Sequence, residues 1–153
     1  MTLANIADSW IFDHLGLVVK SLERGRSALE ASLLIRGWTP ETIDPVNGVR
    51  LQFGRDLAGV VYELLEPLGE DSPVHQALVS GRNILNHVAY RVSDLTVAAA
   101  HLKAAKNTPT STPKPAIAYG GAQIQFFVSP LNFIIELIEA PTHQHIFSPV
   151  EAS

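Results

Sequence analysis

Runs of apolar residues alternate with one helical pattern along this chain, and the whole arrangement occurs twice. Phe12 to Val19 is apolar and β-rich and reads as a strand. Ser21 caps a helix through Leu22, Ala28, Leu29 and Leu33 with charges on its other side, and Gly37 and Pro40 end it. Val49 to Phe53 reads as a second strand, Gly54 to Ala58 as a turn-like connection and Val60 to Leu65 as a third strand. Between Gly37 and Asp44 the strand signal is weak. In the second half, His87 to Val92 is a strand, and Ser93 caps a helix from Asp94 to Ala105. Thr108 to Pro115 holds three prolines and reads as a loop, and Ile124 to Val128 and Phe133 to Ile138 are strands.

The halves superpose without a gap at a shift of 73 positions (87 − 14), which brings His14 onto His87, Gln52 onto Gln125 and Glu63 onto Glu136. The implied organisation is a first module over 12–68, a connector over 69–85, a second module over 86–140 and a tail over 141–153. Ser72-Pro73 predicts the start of a short connector helix ending near Gly81. The tail has no clear pattern and reads as loosely held.

At 153 residues the chain suits one domain or two intimately packed halves. Each half alone is about 70 residues, a marginal size, so a shared core is expected. A net charge of −4 without a Lys/Arg run argues against nucleic acid as a partner. The absence of cysteine removes disulfides, thiolate catalysis and thiolate metal sites. Met1 to Trp10 lacks the pattern of a signal peptide, and no apolar run approaches the roughly 20 residues that span a bilayer. A cytoplasmic protein off the membrane is the expectation.

Two polar residues stand out inside the apolar runs of each half. Glu63 lies among Val60, Val61, Tyr62, Leu64 and Leu65, and Glu136 among Ile134, Ile135, Leu137 and Ile138. A carboxylate there loses hydration at a cost that a partner must offset, unless it faces solvent from an edge strand. His14 and His87 each open a strand with apolar residues on both sides. A lone histidine in that setting is more often a hydrogen-bonded core residue than a ligand. A histidine on the first strand and a glutamate on the last meet if those strands are neighbours. Twofold repetition then makes a two-His, two-carboxylate site for Zn, Co, Ni, Mn or Fe. Glu66 and Glu139 sit at strand ends and read as solvated. Gln52 and Gln125 either line a cavity or face solvent. His75 reads as an exposed residue of the connector helix, His101 has Ala28 as its counterpart and so lacks support from the repeat, and His143 and His145 read as disordered-tail residues, with adventitious metal binding the alternative. Gly120-Gly121 is too short for a phosphate loop, and no nucleophile elbow or Ser-His-Asp signature is present.

Asp13-His14-Leu15-Gly16, the stretch Tyr62 to Pro73, Asn86-His87-Val88-Ala89 and Phe133 to Leu137 resemble the vicinal oxygen chelate superfamily, which includes glyoxalases and bleomycin-resistance proteins. Within it the chain is most similar to the methylmalonyl-CoA epimerases. The resemblance covers roughly residues 12–140. It implies an α+β fold of two paired βαβββ modules in a curved, barrel-like mixed sheet. It further implies a divalent metal on His14, Glu63, His87 and Glu136, with Glu136 or Glu63 as the catalytic base. The implied activity is metal-dependent proton transfer next to a carbonyl, with an acyl thioester or 2-oxo compound as substrate and a homodimer as the assembly. Glu63 equally resembles glyoxalase I, because some epimerases carry glutamine there. Val49 to Phe53 contains no acid, only Arg50 and Gln52, where some epimerases are thought to carry a base. A related enzyme on a biosynthetic intermediate and a non-catalytic ligand-sequestering module are the remaining readings. The complete ligand set argues against the last.

Overall fold

The structure is a computed structural model and describes residues 9–82 and 84–148; the first residues of the chain (1–8) and the end of the tail (149–153) lie outside the described residues. The fold is α+β. In chain order the elements are β1 (Trp10–Val18), α1 (Leu22–Leu33), β2 (Gly37–Trp38), β3 (Thr42–Asp44), β4 (Val49–Arg55) and β5 (Val61–Pro67). The connector helix α2 (His75–Ser80) follows. The second copy supplies β6 (Leu85–Val92), α3 (Leu95–Ala104), β7 (Thr108–Pro109), β8 (Lys114–Ala116), a 3-10 turn (Ile117–Tyr119), β9 (Ala122–Val128) and β10 (Ile134–Ile138). No helix of the described residues is long and apolar enough to cross a membrane.

The described residues form two compact units. One holds 14–82, 84–86 and 144–148, and the other holds 9–13 and 87–143. In the first, β1 runs parallel to β5 with Gly16 level with Glu63, and β5 is antiparallel to β4. β2 and β3 both pair antiparallel with β4. In the second, β6 runs parallel to β10 with Ala89 level with Glu136, and β10 is antiparallel to β9. β7 and β8 both pair with β9. Each module is therefore βαβββ with its second strand broken in two.

The helices bury one face of each sheet. Leu22 of α1 packs with Ile35, Trp38 and Leu64. Leu95, Ala98, Ala99 and Leu102 of α3 pack with Val92, Phe127 and Leu137. Each buried Leu or Phe contributes about 1.5–3 kcal/mol. The repeat extends to the last hairpins. Asp56 accepts from the amides of Ala58 and Val60, and Ser129 accepts from those of Leu131 and Phe133. Gly59 and Asn132 supply the left-handed residue at the same place in each turn, at φ of 86° and 64°.

Several local expectations are corrected. The weak signal at Gly37 to Asp44 is two short strands, and the proline-rich loop of Thr108 to Pro115 contains two more. α1 ends at Leu33, where Leu34 takes the left-handed cap, before Gly37 or Pro40 is reached. Ser21 does cap α1, but Asp94, not Ser93, caps α3 by accepting from the Val97 amide. The connector helix starts at His75 rather than at Ser72-Pro73, and Gly81 closes it in a left-handed conformation. The tail through Ser148 is packed: Arg91 donates to the Pro141 carbonyl and the Ser148 amide to the Trp38 carbonyl.

Candidate metal centre

Strand pairing explains how each histidine reaches its glutamate. In both modules the histidine lies two residues before the position level with the glutamate, so the two side chains share one sheet face. The residue level with the glutamate is small, Gly16 in one copy and Ala89 in the other. His14 Nε2 stands 3.4 Å from Glu63 Oε1, and His87 Nε2 stands 3.2 Å from Glu136 Oε1. All four residues are buried, the glutamates at 5% and 3% exposure, which removes the solvent-facing reading of these carboxylates.

The spacing is informative. A charge-assisted hydrogen bond between nitrogen and oxygen is about 2.7–2.9 Å long. Two adjacent donors on one ion, each about 2.1 Å from it, stand about 3.0–3.4 Å apart. Both pairs have the second spacing, and imidazole with carboxylate is a donor set for a borderline divalent ion. The residues fit a metal on this ground.

A phenylalanine missed in the sequence flanks each histidine. Phe53 lies level with Glu63 on β4 and meets His14 edge-to-face at 5.2 Å and 72°. Phe126 lies level with Glu136 on β9 and meets His87 at 5.6 Å and 75°. The gapless repeat is the signal that could have found them.

Other expectations are resolved or revised here. Gln52 lies level with Leu64 and Gln125 with Leu137, on the helix-covered face, so neither shares the glutamates' face. Gln52 Nε2 donates to the Thr39 carbonyl at 2.6 Å and Gln125 Nε2 to the Ser111 carbonyl at 2.9 Å. Each satisfies a carbonyl released where the second strand breaks. Glu66 and Glu139 are not simply solvated: they accept from the first helical amides, Leu22 N at 2.8 Å and Leu95 N at 2.7 Å. His75 opens the connector helix, half-buried, and His101 packs edge-to-face on Trp10. His143 packs against Tyr119, and His145 stacks on Phe53 at 4.0 Å.

A buried network in the second unit lies outside the repeat. Tyr119 donates to Asp13 Oδ2 at 2.6 Å, and Arg91 Nε stands 2.9 Å from Asp13 Oδ1. The counterparts of Arg91 and Tyr119 are Val18 and Val46. Pairing offsets part of the cost of burying Asp13 beside the half-buried Arg91.

Comparison with known proteins agrees with this architecture. The family described as "Glyoxalase/Bleomycin resistance protein/Dioxygenase superfamily" matches residues 13–128, and the chain belongs to it. Uncharacterized protein YqjC of Bacillus subtilis (strain 168) is 38% identical over 80 residues, 51% of this chain and 54% of that relative. The match thus spans about half of the relative's length. Hypothetical protein BH1468 from Bacillus halodurans C-125 superposes with a TM-score of 0.74 at 25% identity, covering 90% of this chain and 99% of that one. Methylmalonyl-CoA epimerase from Mycobacterium tuberculosis gives 0.68 at 22% identity, over 83% and 85% of the two chains. A variant of the Streptomyces coelicolor epimerase, in complex with 2-nitronate-propionyl-CoA, gives 0.70 at 22% identity, over 91% and 98%.

Proposed function

We propose that this protein is a divalent-metal-dependent enzyme that transfers a proton at a carbon next to a carbonyl. In this reading His14, Glu63, His87 and Glu136 hold one ion, and the substrate is an acyl thioester of the methylmalonyl-CoA kind. The observation that carries the reading is the recurrence, in both modules, of a buried His–Glu pair at ligand spacing. Likeness to epimerase structures supports the choice of substrate class. When bound, the ion supplies Lewis acidity toward adjacent substrate oxygens. The chain's own contributions are orientation, a dry environment and a base. The two imidazoles fix the site, burial excludes water, and Glu136 or Glu63 takes the α-proton on a carboxylate oxygen and returns it. Glyoxalase I chemistry on a glutathione hemithioacetal is the second reading, favoured by a carboxylate rather than an amide at Glu63.

The test is exchange in heavy water. The metal-loaded protein should place deuterium at the α-carbon of methylmalonyl-CoA, and Glu136→Gln should slow this by about 10²–10⁴-fold. No label with metal present, together with turnover of the hemithioacetal, would select the second reading. Neither activity would reject both.

A further inference from the structure

We propose that His145 is a positioning residue of the first copy's His14–Glu63 pair, delivered by the segment that follows the second module. The proposal rests on the metal reading above. Residues 144–148 pack within the same compact unit as His14, Phe53 and Glu63. Three contacts seat the segment. The Ser148 amide donates to the Trp38 carbonyl at 2.9 Å. The Arg55 guanidinium lies 4.6 Å over the Phe147 ring. A Cβ at Gly37 would meet Phe147 at 3.5 Å, so the strand passes close beneath.

This seating lays the His145 ring on Phe53, 4.0 Å between centroids and 29° from parallel. Phe53 in turn meets His14 edge-on, and ring nitrogens of His145 and His14 lie within 4.8 Å of each other. The second copy provides an internal control. Phe126 meets His87 as Phe53 meets His14, yet Phe126 is only half-buried while Phe53 is 3% exposed. The tail ring therefore closes over the first copy what the second copy leaves more open. A phenylalanine held between two rings fixes the imidazole that it touches. Fixed orientation is what a ligating imidazole needs; losing a hydrogen-bonded outer partner commonly lowers metal affinity about 10- to 100-fold, and a ring acting through Phe53 falls at the lower end of that range.

The experiment is Co(II) titration of the full chain, read by affinity and by visible ligand-field bands. His145→Ala should bind Co(II) about 10-fold more weakly with shifted bands. His145→Phe, which keeps a flat ring on Phe53, should restore both. Phe147→Ala, which loosens the seat and leaves His145 in place, should weaken binding in the same direction and serves if His145→Ala fails to fold. Wild-type affinity and superimposable bands in His145→Ala, or in Phe147→Ala where that variant stands in, overturn the proposal with the metal reading intact. So does a His145→Phe protein as weak as His145→Ala. If the wild type takes up no Co(II), or His14→Ala binds it equally well, the metal reading itself falls and the proposal falls with it.

Discussion

Glu63 and Glu66 sit three residues apart on one strand and therefore face opposite ways. Glu63 meets His14, and Glu66 reaches under α1 to its first amide; Glu136 and Glu139 divide the work in the same way. Each outer glutamate fills an orphan helix donor and places negative charge at the positive end of the helix. Glu139→Ala should cost about 1 kcal/mol and lower the melting temperature by ~2–4 °C while leaving Co(II) affinity unchanged. A surface network should instead show itself through pH. Hydrogen bonds from Arg50, then Arg26, hold the Glu41 carboxyl below its ordinary range. Its contribution is thus present at neutral pH and is lost as pH falls through the folded-state value. Melting curves of wild type and Glu41→Gln should differ most near neutrality and converge as pH falls through the folded-state value of Glu41, which lies below the ordinary carboxylate range. The pairing of His14 with Glu63 and of His87 with Glu136 was legible because a polar residue in an apolar run is conspicuous and each appears twice. The role of the outer glutamates was not, since each one's amide partner lies 44 positions away in sequence.

The broken second strand shows how two copies solve one packing problem with different residues. In the first, Gly54 leaves room that Trp38 and Ile35 fill. In the second, the counterpart of Gly54 is Phe127, fully buried, and the counterparts of Ile35 and Trp38 are the small polar Thr108 and Ser111. Bulk has moved from the edge strand to the central strand. A Cβ at Gly54 would stand 2.5 Å from the Trp38 ring and 2.9 Å from Ile35. Gly54→Ala should therefore destabilise by about 1–3 kcal/mol, measured by urea unfolding. The long elements were legible from their apolar pattern. The strand fragments were not, because two or three residues beside prolines give no periodicity, and their pairing is set by β4 and β9. The same break explains the repeated glutamine, whose recurrence resembled a functional signal and instead satisfies a strand carbonyl.

At the level of the whole chain, duplication supplied most of what could be read, and departures from it supplied the rest. The Asp13–Arg91–Tyr119 network and the packed tail have no counterpart in the first copy, so the repeat could not reveal them. If one ion engages both modules, it stabilises the folded chain by mass action. Co(II) at 100 times its dissociation constant should add about 2.7 kcal/mol, seen as a raised melting temperature that a chelator reverses. Unchanged melting at saturating Co(II) would contradict this. The parallel contact between the opening and closing strands of each module has one more consequence. An imidazole made at the start of a module has no carboxylate beside it until the final strand has docked. On the proposed metal reading, cation capture would then report two finished modules, and a nascent chain would hold the ion only after its last strands had been synthesised.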